Sequence, residues 1–310
     1  MCTGIVLRTK NGKIIFARTL EFNLPIHFYR HNSSLFIGTV GYIPNLDKTG
    51  YVVDGVNKYG LAIGCFYFPE NAEFAKNDKE NKINLFTLDV GRYILENCKN
   101  INDVINLSSK LNIKESFVGK IPFSFHWLVV DKSGNCIVLE VKKEILTVYN
   151  NPYHIITNSP TFPEHVKSLD KYKNLTPLNK KNNIEGGFGT GMLGLPGDST
   201  SINRFIRAWF FTNNVSTPKN SKNGLHTAFN ILHNFDIPIG TVIDPRDGKR
   251  EVTEYTVAYS VNDIKRVYAP YGYLVRDNIT FSYQPVAIPY LKLKYFIIVC
   301  AIIFLITNKR

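Results

Sequence analysis

The sequence predicts an α+β fold in which helices cover antiparallel sheets, and three observations carry that expectation. A hairpin signal opens the chain, strand-like and helix-like stretches then follow in the order strands, helices, strands, helices, strands, and no Pro/Ser-rich linker interrupts them. We read one domain to about residue 284 and a separate tail over 285–310. With 310 residues and 44% hydrophobic content, the chain can build a sizeable core.

The first strands lie in "TGIVLRTKNGKIIFARTLEF", two apolar-rich runs around Asn11 and Gly12. That dipeptide is a strong short hairpin signal, because both residues of a two-residue turn must accept positive φ. Such a loop pairs Cys2 with Glu21, Gly4 with Thr19 and Ile5 with Arg18. Cys2 and Glu21 are then expected on one face of the ribbon and Arg18 on the other. "YVVDGVN" and "YGLAIGCFYFP" read as further strands. "INLFTLDVGRYILENC" has helical spacing from Leu85 onward, and a second helix is expected in "INDVINLSSKL".

"HWLVVDKSGNCIVLEV" reads as a hairpin turning through Lys132 to Asn135, and "EILTVYNNPYHIITNSP" as another turning at Asn150 to Pro152. The second is expected to deliver Asn158 at an exposed end. In "GDSTSINRFIRAWFF" the Ser/Thr/Asp cluster starts a helix near Ser201 and puts Arg204 in its first turn. The helix dipole disfavours a cation there, so Arg204 points to a partner. A helix in "GLHTAFNILHNF" and strands in "EYTVAYSV" and "IKRVYAPY" complete the order.

Composition narrows the function classes. The five cysteines, at 2, 65, 98, 136 and 300, form no C-x-x-C pair, and the seven histidines have no H-E-x-x-H spacing. "GGFGTGMLGLPGD" lacks the Lys-Ser/Thr ending of a phosphate-binding loop. No cofactor and no metal is expected. The net charge of +12 comes from dispersed lysines, so nucleic acid is a poor partner. No apolar leader precedes Cys2, which suggests a cytoplasmic domain.

Cys2 is the residue that suggests chemistry. Loss of Met1 would put a thiol, with a reference pKa of about 8.5, and an α-amine, at about 7.7–8.0, on one residue. A nucleophile and its base would then be neighbours. The competing enzyme reading pairs a cysteine with His126 or His154, although the C-G-x-C-W context of papain-like enzymes is absent. A reading of another class is a catalytically silent, membrane-associated binding protein.

The stretches "MCTGI", "ARTLEF", "DGVNKYGLAIGCFYFPENA", "ITNSPTF", "GTGMLGLPGDSTSINRFIRA" and "ILHNFDIP" together resemble the choloylglycine hydrolase family, over roughly residues 2 to 284. This family includes bile salt hydrolases and penicillin V acylases. The resemblance implies a four-layer αββα sandwich, the N-terminal nucleophile hydrolase fold, and cleavage of small-molecule linear amides through a thioester. It implies Cys2 as nucleophile and base, Arg18 beside the thiol, Asn158 as oxyanion donor and Arg204 behind the nucleophile. Glu21 stands where bile salt hydrolases carry Asp and is expected to hold the α-amine.

The Tyr67 backbone N–H is the implied second oxyanion donor, and its ring is expected to wall the acyl pocket. Tyr67 and a short segment near residues 40 to 52 favour an aryl or fatty N-acyl amide, as in penicillin V acylases, over a conjugated bile salt. The resemblance also implies a homotetramer. Finally, "YLKLKYFIIVCAIIFLITNKR" holds fourteen uncharged residues between Lys294 and Lys309. As a helix these span about 21 Å, short of a hydrocarbon core of about 30 Å. With its basic flanks, this tail is expected to be a membrane anchor.

Overall fold

The computed structural model describes residues 1–22, 26–43, 50–118, 120–179, 187–244 and 248–270. The tail over 285–310, the boundary near 284 and residues 44–49 of the short segment near 40 to 52 lie outside the described residues. In chain order the strands are β1 (Cys2–Arg8), β2 (Ile14–Glu21), β3 (His27–Asn32), β4 (Phe36–Tyr42), β5 (Tyr51–Asn57), β6 (Leu61–Tyr67), β7 (Ile83–Phe86), β8 (Leu111–Lys114), β9 (Ser116–Val118), β10 (Ile121–Phe123), β11 (Phe125–Asp131), β12 (Cys136–Lys142), β13 (Ile145–Asn150), β14 (Ile155–Ile156), β15 (Thr253–Ser260) and β16 (Lys265–Pro270). The α-helices are α1 (Val90–Asn97), α2 (Ile101–Ser108), α3 (Phe162–Ser168), α4 (Ser201–Asn214) and α5 (Ser221–Leu232).

Two antiparallel sheets form the middle of the molecule. One runs β14-β1-β2-β15-β16 and the other β13-β12-β11-β6-β5-β4-β3. Their central strands are buried along nearly their whole length, because one face packs on the other sheet and the other face on helices. Helices α4 and α5 cover the first sheet, and α1 and α2 cover the second. The expected αββα sandwich is therefore the observed architecture. Among the described residues, no helix is long and apolar enough to cross a membrane.

The first hairpin differs from its expected register by one residue. The loop holds three residues, Lys10 to Gly12: Gly12 N–H donates to Thr9 O (2.9 Å) and Thr9 N–H to Lys13 O (2.9 Å). Gly12 takes φ 79°, which a residue with a Cβ rarely adopts. Cys2 therefore pairs with Leu20, Thr3 with Thr19 and Gly4 with Arg18. A slip of one residue exchanges the faces of a strand, so Arg18 joins Cys2 on the face between the sheets. Glu21 turns to the helix-covered face. The side chain of Thr9 decides the longer loop, since its Oγ1 bonds both Asn11 Oδ1 (2.6 Å) and Lys13 N (2.8 Å).

Two further expectations are corrected. Residues 83–86 form strand β7, and α1 begins only at Val90 after Asp89. Residues 145–156 are no hairpin: β13 pairs with β12 in one sheet and β14 with β1 in the other. Asn151 makes this crossover, donating from Nδ2 to Ile155 O (2.9 Å) and accepting from His154 N at Oδ1 (2.9 Å). The crossover sets β14 beside β1 and brings Asn158 to the Cys2 end of that strand, buried rather than exposed.

Candidate active site

The site is built where β1 begins. Cys2 is 2% exposed, with Met1 still attached. In an antiparallel strand, successive N–H groups point to opposite neighbours. Met1 and Glu21 exchange backbone hydrogen bonds (2.8 and 2.9 Å), so the nitrogen of Cys2 points the other way. There it donates to Asn158 Oδ1 at 2.8 Å. Arg204 Nη2 donates to the same oxygen at 2.7 Å. Two donors on one atom fix the orientation of the Asn158 amide, whose Nδ2 reaches Tyr67 O at 2.9 Å. An amide nitrogen carries two hydrogens, and this bond uses one of them.

Arg204 sits in the first turn of α4 with the partners that its placement called for. Besides Asn158 it donates to Ser199 O (2.9 Å), Thr3 Oγ1 (3.0 Å) and Cys2 O. Burial pulls its pKa below the ordinary guanidinium value, while Glu21 and Cys2 work to keep it charged. On the same helix-covered face, Glu21 Oε1 accepts from Thr253 Oγ1 at 3.0 Å. The carboxyl of Glu21 is raised from its ordinary 4.5 to about 7, first by burial, against the pull of the Met1 ammonium and Arg204.

Arg18 lies wholly buried between the sheets. Its Nη1 donates to Cys65 O (2.7 Å) and Val53 O (3.1 Å), its Nε to Thr19 O (3.1 Å), and its plane covers the Phe66 ring at 4.6 Å. Burial opposes its charge, yet Cys2, Tyr255, Asp54 and Cys65 outweigh burial and hold the guanidinium above its ordinary pKa. Gly4 makes room for this packing, since a Cβ there would stand 2.5 Å from Phe66 Cζ. Tyr67, at the end of β6, meets Phe22 and Phe125 edge-on (6.0 and 6.4 Å), and these adjoin Phe123 and Tyr51.

The structure thus brings together Cys2, Arg18, Asn158, Arg204 and the Tyr67 backbone, with Glu21 on the reverse face of the strand. Thiol and carboxylate do not share a face, contrary to the expected register. The histidines proposed as alternative partners are engaged elsewhere. His126 lies within hydrogen-bond range of Glu140 (3.3 Å) and Thr157 O (3.0 Å), and His154 of Gly134 O (3.2 Å). An open depression of about 180 Å³, lined in part by Arg8, His154 and Pro218, contains none of the site residues. It lies toward the other end of β1.

Sequence reasoning missed the residues that support the site. His165 Nε2 donates to Asn158 O (2.8 Å), and burial lowers its pKa to about 4, which keeps the ring neutral. Ser201 Oγ accepts from Asn158 N at 2.8 Å. Asp54, alone among apolar residues in "YVVDGVN", accepts from Tyr255 Oη (2.6 Å) and Tyr259 Oη (2.5 Å). A lone acid in an apolar strand was a readable signal, because a buried carboxylate needs partners.

Comparison with known proteins gives the family. The family model for linear amide C–N hydrolases, choloylglycine hydrolase family, matches residues 2–274. The chain is 38% identical to an uncharacterised protein of Paramecium bursaria Chlorella virus 1, over 88% of this chain and 98% of that one. It is 31% identical to a bile salt hydrolase/transferase of Clostridium perfringens, covering 83% and 85%. The crystal structure of a mutant conjugated bile acid hydrolase from Clostridium perfringens superposes with a TM-score of 0.75 at 30% identity, over 87% and 89% of the two chains. A penicillin V acylase from Agrobacterium tumefaciens shares the fold, with a TM-score of 0.66 at 17% identity over 87% and 83%. By sequence and by structure, this chain belongs to the choloylglycine hydrolase family of linear amide C–N hydrolases.

Proposed function

We propose that the mature protein is a cysteine amidase in which Cys2, made N-terminal by removal of Met1, cleaves a linear N-acyl amide. The observation that carries this reading is the convergence on Cys2: its nitrogen is held by Asn158 Oδ1, and Arg18 occupies the thiol face. The thiol proton passes to the α-amine and the sulfur attacks the carbonyl carbon. The second N–H of Asn158 Nδ2 and the Tyr67 N–H receive the oxyanion. The C–N bond breaks as the α-ammonium returns its proton to the departing amine. Water, deprotonated by the same amine, then cleaves the thioester and restores the thiol. A preorganised oxyanion donor lowers such a barrier by roughly 2.7–4 kcal/mol.

For the acyl group we favour an aryl or fatty chain, because the rings of Phe22, Tyr51, Tyr67, Phe123 and Phe125 cluster beyond the end of β6. The second reading is a conjugated bile salt. It is supported by the bile salt hydrolase relative, which is nearer in identity than a penicillin V acylase of Pectobacterium atrosepticum at 25% over 60% of this chain. The test is a side-by-side assay of penicillin V, a long-chain N-acyl amide and glycine- and taurine-conjugated bile salts, after mass spectrometry has confirmed loss of Met1. The first two are expected to turn over faster, and Cys2→Ala is expected to fold and hydrolyse none. Preference for bile salts overturns the acyl assignment. Native activity in Cys2→Ala overturns the nucleophile, whereas no turnover of any of these substrates by the parent leaves the binding-protein reading, to be tested by ligand capture.

A further inference from the structure

Behind Arg18 stands a polar cluster that the reaction as described does not use. Asp54 on β5 is wholly buried and lies 3.8 Å from Arg18 Nη1, too far for a hydrogen bond. Both its oxygens are taken by tyrosines from the opposite sheet, Tyr255 at Oδ2 and Tyr259 at Oδ1. The two tyrosines stand two strand periods apart on β15, on the face that β15 shares with Arg18. Arg18 in turn gives Nη1 to two backbone carbonyls, and its Nη2 has no hydrogen-bond partner among the described residues. A buried arginine and carboxylate this close ordinarily form a forked pair. Here backbone carbonyls hold one partner and phenol hydroxyls hold the other.

We propose that Asp54, held off Arg18 by the Tyr255 and Tyr259 hydroxyls, is a positioning residue that sets how much of the Arg18 charge is presented to the Cys2 thiol. This rests on the reading of Cys2 as nucleophile. A tight pair with Asp54 would neutralise Arg18 and draw it from the thiol. Loss of Asp54 would leave its whole charge facing Cys2. The other ionisable groups around this pair are Tyr51 on β5, Cys65 on β6, and Arg266 and Tyr268 on β16, while Arg204 and its partner Glu21 act on Cys2 from the helix side. Burial pushes the Cys65 thiol up to about 12, so it stays protonated and adds no charge at neutral pH.

The test uses the full chain after Met1 removal and reads alkylation of Cys2 by iodoacetamide against pH, quantified on the N-terminal peptide, with Cys2→Ala as background. Asp54→Asn is expected to move the midpoint of that profile down by about one unit, so that Cys2 is alkylated about tenfold faster near pH 6.5. Tyr255→Phe, which removes the donor on Oδ2, the oxygen that faces Arg18, and lets Asp54 engage Arg18, is expected to slow it. A merely structural cluster would lower the melting temperature in both variants without opposite shifts. Unchanged rates, or shifts of the same sign, overturn the proposal. If Asp54→Asn does not fold, Tyr255→Phe decides alone: slower alkylation supports the proposal, and unchanged or faster alkylation overturns it. The readout needs no substrate, so it is separate from the fate of the nucleophile reading, which falls if Cys2→Ala still hydrolyses amide.

Discussion

Glu21 carries a pH signature that separates a chemical role from a structural one. Its carboxyl titrates near 7 in the folded chain, raised by burial from an ordinary 4.5. Between those values the folded state binds a proton that the unfolded state has released, so this residue's contribution to stability falls as pH rises through that window. Glu21→Gln, neutral throughout, is expected to show a flatter decline in Tm between about pH 5 and 7.5 than the parent. Its kcat is expected to fall at least tenfold, because Arg204, which holds Asn158 and the Cys2 carbonyl, loses its counter-charge. Thermal melts across this range beside steady-state kinetics check both. If the fall in kcat tracks a fall in Tm, Glu21 is a structural partner only. The same scale explains Asn158, whose side chain cannot turn over: Cys2 N–H and Arg204 hold its oxygen, while His165 and Ser201 hold its backbone.

At the scale of elements, the ribbon β1-β2 is the piece on which the site depends. Its three-residue loop puts Arg18 and Cys2 on the inner face, and the absence of a side chain at Gly4 lets Phe66 pack beneath Arg18. In Gly4→Ala the new methyl would meet Phe66 Cζ at 2.5 Å and Ile156 Cγ2 at 2.9 Å. Overpacking of this kind costs about 1–3 kcal/mol. A melting temperature lower by several degrees is expected, with kcat reduced because Phe66 carries the arginine plane. A variant with parental Tm and kcat would mean that the two sheets separate freely at this point.

For the whole molecule, the decisive feature is the crossing of the chain from one sheet to the other between β13 and β14. Asn151 is buried there, and His154 takes φ 60°, a conformation that a residue with a Cβ holds only with support. Asn151→Ala removes two hydrogen bonds, leaving Ile155 O without the Asn151 donor and His154 N with only its longer bond to Asn151 O (3.3 Å). Unsatisfied buried groups cost about 1–3 kcal/mol each. The urea midpoint is expected to drop, and kcat/KM with it, since β14 carries Asn158 to the site. A variant that loses stability but keeps kcat/KM would show that Asn158 is held by α3 and α4 alone.

Local pattern determined much of this protein. Apolar runs bounded by turn residues mark strands β5, β6, β11 and β12, the Ser/Thr/Asp cluster fixes the start of α4, and the unusual place of Arg204 foretold its buried partners. The motifs around Cys2, Arg18, Asn158 and Arg204 also sufficed for the family. What pattern could not determine was which face each residue would take. One threonine hydroxyl lengthened the first loop by a residue and exchanged Arg18 with Glu21, because a strand has period two. The sequence around Asn151 reads as a turn, yet only the pairing of β14 with β1 turns it into a crossover. Asp54 and the two tyrosines lie some two hundred residues apart and meet only because the sheets stack. Propensity acts over a few residues, whereas a buried charge finds its partners across the whole fold, and so the tertiary structure alone decided what stands behind Arg18.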